Sequence, residues 1–304
     1  MNTANRELIE EAAKFIEMNL KNELSLGELS SQLCISKYHL HRIFKAITGM
    51  PLMAYVRKRR LSESLTELRD EKLKIIDIAC EYHFEYMQSY ERAFKQLFGI
   101  TPSAFRRHRC ELPIIPRLDT KLLQNVSGGI LTSPFYVKKP EFHLAGIRTL
   151  IWHQENYALG TANLSAVDFY YNRRLELKTV MNESVYYGLV TDYHLNEADY
   201  YMPSVEVFRP VKNDSRFCYH TIKASDYAVF RYIGLHSPEN LNMHLLSEIY
   251  QLIENMWIPS TSFSVDSSYH FERIDTKRCG SSYCEADIYY PILPREEGNS
   301  CTDL

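Results

Sequence analysis

Over the first hundred residues the apolar side chains recur every three or four positions in short runs, each closed by a turn signal. Leu26, Leu29 and Leu33 give one short helix a single oily face. Ser25 and Glu28 have the spacing of a capping box at its start, in which each side chain satisfies the other residue's free main-chain N–H. Cys34-Ile35-Ser36 then makes a tight connection, and Ser36 can cap the helix that follows. In that second helix Leu40, Ile43, Phe44 and Ile47 fall on one face, and Tyr38, His41, Arg42 and Lys45 fall on the other. Gly49 supplies the stop. Two short helices joined by three residues predict a helix-turn-helix unit, whose second helix enters a major groove.

The pattern returns. Arg42-Ile43-Phe44-Lys45 through Gly49 is echoed fifty residues later by Arg92-Ala93-Phe94-Lys95 through Gly99, and Ala54-Tyr55 by Ala104-Phe105. In the second copy Ile75, Ile78 and Ala79 line a short helix, and the turn passes through Tyr82-His83-Phe84. Tyr90, Ala93, Phe94, Leu97 and Phe98 form the inner face of its second helix, with Gln88, Ser89, Arg92 and Gln96 outside. Between the copies a helix opens on Tyr55-Val56 and four consecutive basic residues, Arg57, Lys58, Arg59 and Arg60, and runs to about Arg69. One amphipathic helix pair is most often structural, and a lone basic cluster is usually a solvated face. Two copies at a fixed offset, joined by a basic helix, point instead to a surface that tracks a phosphate backbone.

After Cys110 the periodicity lapses. Pro113, Pro116, Asn125 through Gly129 and Ser133-Pro134 read as a linker. From about Val137 the segments 141–151, 185–193, 202–208, 219–222, 227–233, 269–274 and 286–292 are rich in β-branched and aromatic residues and predict strands. Segments 162–181 and 239–256 predict amphipathic helices. Strand, helix and strand pair occur twice in order, which predicts a pseudo-repeated antiparallel α+β domain behind an all-α module. Of the 38 aromatic residues, 27 lie after residue 133, most of them suited to filling a core between strands. Glu272 is a carboxylate set among these aromatic strands. Alternation places it on one face with His270 and Ile274 and favours a surface carboxylate paired with Arg273 or Lys277. If it were buried, it would call for a cationic partner, and surrounding rings would add cation–π attraction.

Charge adds an asymmetry. The net charge is -3, yet residues 1–110 carry 18 Lys and Arg against 14 Asp and Glu, leaving 17 against 24 for the remainder. A basic front and an acidic back suit one polyanion-binding module and one with a different task. No apolar run reaches the ~20 residues of a membrane span, the N-terminus has no secretory pattern, and seven scattered cysteines form no disulfide framework. These features predict a cytoplasmic chain without membrane partner, metal or cofactor. HExxH, GxSxG, P-loop and GxGxxG patterns are absent, and no catalytic residue is predicted.

The stretch from Phe84 through Tyr90, Arg92, Phe94, Lys95, Gly99, Pro102 and Phe105 to Arg106, with Ser36 to Lys45, resembles the AraC/XylS family of transcription regulators over residues 6–109. The resemblance implies a monomeric seven-helix module that reads double-stranded DNA. Tyr38, His41 and Arg42 would meet bases through the first recognition helix, and Met87, Gln88, Ser89 and Arg92 through the second. Lys45, Arg57, Lys58, Arg60 and Lys95 would meet phosphates. Members of the family often have Trp and Gln where Tyr38 and His41 stand, and Met87 replaces a frequent polar residue, so no operator sequence is carried over.

The second half is similar to the GyrI-like effector-binding domains in residues 183–188, 224–234, Phe271-Glu272 and 288–292. That resemblance implies Glu272 as the pocket carboxylate for a small cationic or lipophilic effector, with Tyr187, Tyr232 and Tyr283 as pocket aromatics. The pairing of modules resembles the Rob type of regulator, for which RNA polymerase is a candidate protein partner. The implied organisation is a DNA-binding domain in 1–110, a linker in 111–136, an effector domain in 137–293 and a tail in 294–304. Two competing readings are a GyrI-like small-molecule hydrolase and a constitutive DNA binder whose second domain engages a protein.

Overall fold

The computed structural model describes residues 3–108, 111–191, 197–210 and 215–294. They form two compact units, one ending at Lys121 and the other beginning at Leu122.

The first unit contains seven helices among the described residues: α1 (Thr3–Met18), α2 (Leu26–Gln32), α3 (Lys37–Thr48), α4 (Leu52–Leu68), α5 (Ile75–Glu81), α6 (Met87–Phe98) and α7 (Pro102–His108). Both α3 and α6 have twelve residues and begin fifty positions apart. Ser25 and Glu28 form the expected capping box on α2, with Glu28 N–H donating to Ser25 Oγ at 3.1 Å and Ser25 N–H to Glu28 Oε2 at 2.8 Å. Ser36 Oγ accepts from His39 N–H at the head of α3. Gly49 and Gly99 close α3 and α6 in the left-handed region, where a glycine has no Cβ to clash. The turn inside each repeat also contains a left-handed residue, Cys34 at φ 55° and His83 at φ 57°, although neither is glycine.

Around α4 the repeat closes into two small cores. Phe44 packs edge-to-face on Tyr55 at 5.2 Å. Tyr90, Phe94, Phe98 and Phe105 pack with Leu61, Leu65 and Leu68. Polar contacts are buried between them: Ser64 Oγ lies 2.8 Å from the Tyr90 hydroxyl. The stretch expected to be a loose linker is ordered where it leaves this unit. Arg59 Nη1 donates to Ile115 O, Ile115 N–H to Ser62 Oγ, and Leu118 N–H to the Tyr55 hydroxyl.

The second unit contains β1 (Leu123–Val126), β2 (Gly129–Thr132), β3 (Phe135–Lys139), β4 (Phe142–Gly146), β5 (Thr149–Trp152), α8 (His153–Leu159), α9 (Thr161–Tyr171), β6 (Val185–Thr191), β7 (Ala198–Val207), β8 (Cys218–Ile222), β9 (Ser225–Gly234), α10 (Met243–Leu252), β10 (Phe263–Val265), β11 (Tyr269–Asp275) and β12 (Cys284–Pro294). All pairings are antiparallel, in the order β1-β2-β9-β12-β11-β6-β7-β4-β8. Two strand–helix–strand–strand halves therefore meet along β6 and β11. The first half is β4, α9, β6 and β7, and the second is β9, α10, β11 and β12.

Three expectations are corrected here. Residues 123–132, read as linker, form a hairpin whose second strand adds to β9, with Ser127-Gly128 as its two-residue turn and Gly128 at φ 71°. The predicted strand 141–151 breaks at Ile147-Arg148 into β4 and β5. The predicted helix 162–181 ends at Tyr171, where a short 3₁₀ turn follows. The expected tail lies, beyond Pro294, outside the described residues.

Helices α9 and α10 lie on one face of the sheet. Phe169 packs with Ala145, Val205 and Val207, and Ile249 and Ile253 pack with Phe230, Ile274 and Ile288. After α10 the chain widens into a π turn over Ile253–Trp257, which sets the Trp257 ring edge-on against Phe230 at 5.0 Å. The opposite face is dominated by rings: Phe142, Tyr187, Tyr227, Phe271 and Tyr289.

Candidate functional site

Two surfaces concentrate chemistry, one in each unit. In the first, the buried stripe of α3 (Leu40, Ile43, Phe44) turns Tyr38 and Lys45 outward, and the stripe of α6 (Tyr90, Ala93, Phe94) does the same for Gln88, Arg92 and Lys95. Tyr38 is 70% exposed. His41, Arg42, Met87 and Ser89 are half-buried at the same surfaces. Arg42 lies back along its own helix, with Nη1 donating to the Tyr38 hydroxyl at 3.0 Å and the guanidinium 5.0 Å from the ring centre. The outer face of α3 is thus a Tyr–Arg pair flanked by His41 and Lys45.

The basic run at the head of α4 splits by helical phase. Arg57 is exposed, sits over the Phe84 ring at 5.7 Å and reaches Ser89 O in the first turn of α6. Lys58 is half-exposed beside it. Arg59 turns inward to Glu17, which takes Nε and Nη2 at 2.8 Å, and also pairs with Glu63. Arg60, expected at a phosphate, is buried as well. Its Nε donates to Leu20 O at 2.8 Å and its Nη2 to Asn22 O at 2.7 Å, tying the end of α1 to α4. With its donors turned to main-chain carbonyls, Arg60 is a structural clamp, and the phosphate assignment for it is corrected.

In the second unit Glu272 is buried at 6% exposure, so the surface pairing favoured by alternation does not occur. Register explains the burial. Glu272 stands opposite Gly188 on β6 and Ile288 on β12, in the middle of the helix-covered face. Gly188 is required there: a Cβ on it would come within 2.1 Å of Glu272 Oε2 and 2.7 Å of the Tyr201 hydroxyl. The Tyr250 hydroxyl, reaching down from α10, donates to Glu272 Oε1. His270 lies one pair along, stacked on Tyr290 at 5.1 Å and 14° and close to Tyr250 at 5.1 Å.

Burial dominates the electrostatics. It pushes the Glu272 carboxyl up to about 7, against a smaller opposing effect of the Tyr250 hydrogen bond. It holds His270 down to about 3, hence neutral. The phenols of Tyr186, Tyr201 and Tyr250 are all raised by burial first; for Tyr201 and Tyr250 the Glu272 charge comes next, and for Tyr186 it follows the effects of Tyr201 and Cys284. Beside this cluster lies a shallow cleft lined by Ala166, Tyr170 and Tyr171 of α9, Tyr186, Glu239 and Thr276.

The aromatic partners expected from resemblance are not the ones the fold supplies. Tyr187 pairs with Arg273, so it projects from the face opposite Glu272, where its hydroxyl donates to Glu206 at 2.8 Å. Tyr232 shares the Glu272 face but is two strands away. Its hydroxyl meets His236 Nε2 at 2.8 Å and Ser127 O at 3.3 Å. Tyr283 precedes β12 and donates to Glu285 at 2.8 Å. The rings actually gathered around the carboxyl are Tyr186, Tyr201 and Tyr250, with His270 and Tyr290 adjoining. Tyr186 was one residue from the expected position, and Tyr250 lay in a predicted helix whose facing side a local pattern does not assign.

Among the described residues no helix is long and apolar enough to cross a membrane, and no cluster of three or more His, Cys, Asp or Glu side chains is arranged to hold a metal.

Comparison with known proteins gives two family matches. Residues 29–108 match the helix-turn-helix domain family, and residues 132–293 match the GyrI-like small molecule binding domain. The HTH-type transcriptional activator AarP of Providencia stuartii is 43% identical over 99 residues, which are 33% of this chain and 73% of that protein. The right origin-binding protein of Escherichia coli strain K12 is 41% identical over 100 residues, 33% of this chain but only 35% of its own length. Among solved structures, an integron cassette protein from the mobile metagenome of Vibrio cholerae is similar over 54% of this chain and 97% of its own, at 15% identity and a TM-score of 0.40. With more than half of its length in the GyrI-like match and a front third this close to AarP, the chain belongs to the AraC-type helix-turn-helix transcriptional regulators of the Rob kind and carries a GyrI-like small molecule binding domain.

Proposed function

We propose that this regulator binds a specific duplex site through α3 and α6 and is tuned by a lipophilic cation for which Glu272 is the counter-ion. On the DNA side, Tyr38, His41 and Arg42 read one major-groove segment, and Met87, Gln88, Ser89 and Arg92 read a second. Arginine at guanine O6 and N7 is the commonest base-specific contact, which gives Arg42 and Arg92 the leading roles. Lys45, Lys95, Arg57 and Lys58 anchor the backbone and supply the salt-dependent part of the affinity. A regulator with DNA as its target and RNA polymerase as its protein partner would act in the cytoplasm.

The observation that carries the effector reading is a carboxyl enclosed by rings, held by one tyrosine hydroxyl and raised to about 7. Such a group binds a soft organic cation better than a strongly hydrated ion, because both partners are then poorly solvated. Tyr250 holds Oε1 in this state, so an effector takes its place by shifting α10. Since α10 packs on β9 and β12 through Ile249 and Ile253, the shift disturbs the second half of the sheet.

The test is selection of bound sites from random duplexes, repeated with a lipophilic cation such as tetraphenylphosphonium, alongside a fluorescence titration of the protein. One enriched motif and a saturable titration that Glu272→Gln weakens are expected. A flat titration, or one indifferent to Glu272→Gln, would overturn the effector assignment and leave the DNA assignment to stand on the selection.

A further inference from the structure

The sheet face away from Glu272 holds a second arrangement of rings around a positive charge. The last residue of β3, Lys139, points into this face because it pairs with Ser225 in step with Val137 and Tyr227. Its ammonium nitrogen lies 4.7 Å from the ring centre of Phe142, 5.2 Å from Tyr289, 5.8 Å from Tyr187 and 6.0 Å from Phe271. The four rings come from four strands and form a cup. Phe271 and Tyr289 stack at 4.6 Å and 13°, while Phe142 stands edge-on to Phe271 at 75°. Each is almost fully buried, at 0% for Phe271, 2% for Tyr187, 7% for Phe142 and 8% for Tyr289.

The neighbouring lysine shows what an ordinary surface cation does on this strand. Lys138, one residue earlier and on the other side, pairs with Asp226 at 3.6 Å. Among the described residues Lys139 has no carboxylate within 4 Å. The nearby acids are already engaged, Glu206 by the Tyr187 hydroxyl and Asp287 by Arg231 at 2.6 Å. The ammonium is thus held by ring faces, with its aliphatic stem filling the cup. Ring faces bind weakly hydrated cations in preference to strongly hydrated ones, and a primary ammonium is the more strongly hydrated kind.

We propose that this cup is a second organic-cation site, for a small quaternary ammonium or alkylated amine, and that Lys139 is its built-in competitor. A ligand enters by displacing the lysine, which then swings to water at the end of β3, an edge strand ending just before Pro140. The site lies on the opposite side of the sheet from Glu272 and does not depend on the effector reading above.

The experiment is titration of the full chain with tetramethylammonium, followed calorimetrically and by the NMR signal of the Lys139 ε-methylene. In the wild type that signal is shifted upfield by the four rings, and saturating tetramethylammonium moves it to the value of a solvated lysine. Lys139→Ala opens the cup and binds tetramethylammonium about tenfold more tightly than the wild type, since no tethered group competes. Lys139→Met refills it with an uncharged chain of similar length and does not show the gain. Glu272→Gln in the Lys139→Ala background leaves the affinity unchanged. Equal affinities for Lys139→Ala and Lys139→Met, or loss of binding on Glu272→Gln, would overturn the proposal. Should Lys139→Ala fail to fold, an ε-methylene signal unmoved by the ligand in the wild type overturns it equally.

Discussion

Lowering the pH from 8 to 6 should weaken the binding of a permanent cation to the Glu272 site by roughly tenfold. The carboxyl stands at about 7 instead of its usual 4.5 because the fold removes it from water. About one molecule in eleven is ionised at pH 6, and about ten in eleven at pH 8. A cation that pairs with the ionised form draws on that fraction, so its apparent affinity follows it. It also pulls the carboxyl back down and releases about half a proton at pH 7. The linkage has the sign of a raised acid. The folded form binds more protons than the unfolded one between 4.5 and 7, and so stability is greatest below 4.5 and falls as pH rises through 7. By pH 8 the penalty is on the order of 3 kcal/mol. Titration with tetraphenylphosphonium at pH 6, 7 and 8, in two buffers of different ionisation enthalpy, reads both the affinity and the proton count. Glu272→Gln should flatten the profile, abolish proton release and raise the melting temperature of the second unit at pH 8 but not at pH 5. A wild-type affinity that does not change across this range, with no proton released, would refute the reasoning.

Other outcomes follow from the first unit. Arg42→Ala and Arg92→Ala should each cost ~1–3 kcal/mol on the selected duplex and much less on random duplex; equal losses on both in gel-shift titrations would remove the base-reading role. Arg57→Ala should weaken binding to every sequence and lower the slope of log affinity against log salt by about 1. Arg60→Ala should leave that slope alone and destabilise the unit by about 3 kcal/mol in urea, since it removes two charge-assisted bonds, one to the buried Leu20 carbonyl and one to the part-buried Asn22 carbonyl. Cys34→Gly should stabilise the same unit by about 1 kcal/mol, because the turn demands φ 55° of an exposed residue that gains little from its side chain.

What the sequence made readable was local. The duplicated R-x-F-K-x-x-x-G pattern marked both recognition helices, because the C-cap glycine and the buried aromatic lie within a turn or two of one another. The inward side of Arg60 was hidden, since four basic residues in a row occupy every face of a helix and its partners Leu20 and Asn22 lie about forty residues away, as Glu17 does from the enclosed Arg59. The resemblance points to Tyr187, and the facing of Tyr186 and Tyr187 is hidden for the same kind of reason. Adjacent strand residues face opposite ways, and the pairing of β6 with β11 that settles the matter joins positions more than eighty residues apart. The β1–β2 hairpin carried a readable sign, Ser-Gly between apolar pairs, but its proline-rich approach resembled a linker. Tyr250 had no sign of its own, because a helix does not announce which of its residues a distant carboxyl will hold.

The widened turn after α10 has a consequence for how that helix is phased. An α-helix advances 100° per residue, so one surplus residue in Ile253–Trp257 rotates everything beyond it relative to everything before. With it, Tyr250 meets Glu272 while Trp257 meets Phe230. Deleting a single residue from this turn would restore regular winding and leave one end or the other turned aside. The helix is therefore divided into two segments whose azimuths are set separately, the first carrying Tyr250 to the carboxyl and the second carrying Trp257 to Phe230.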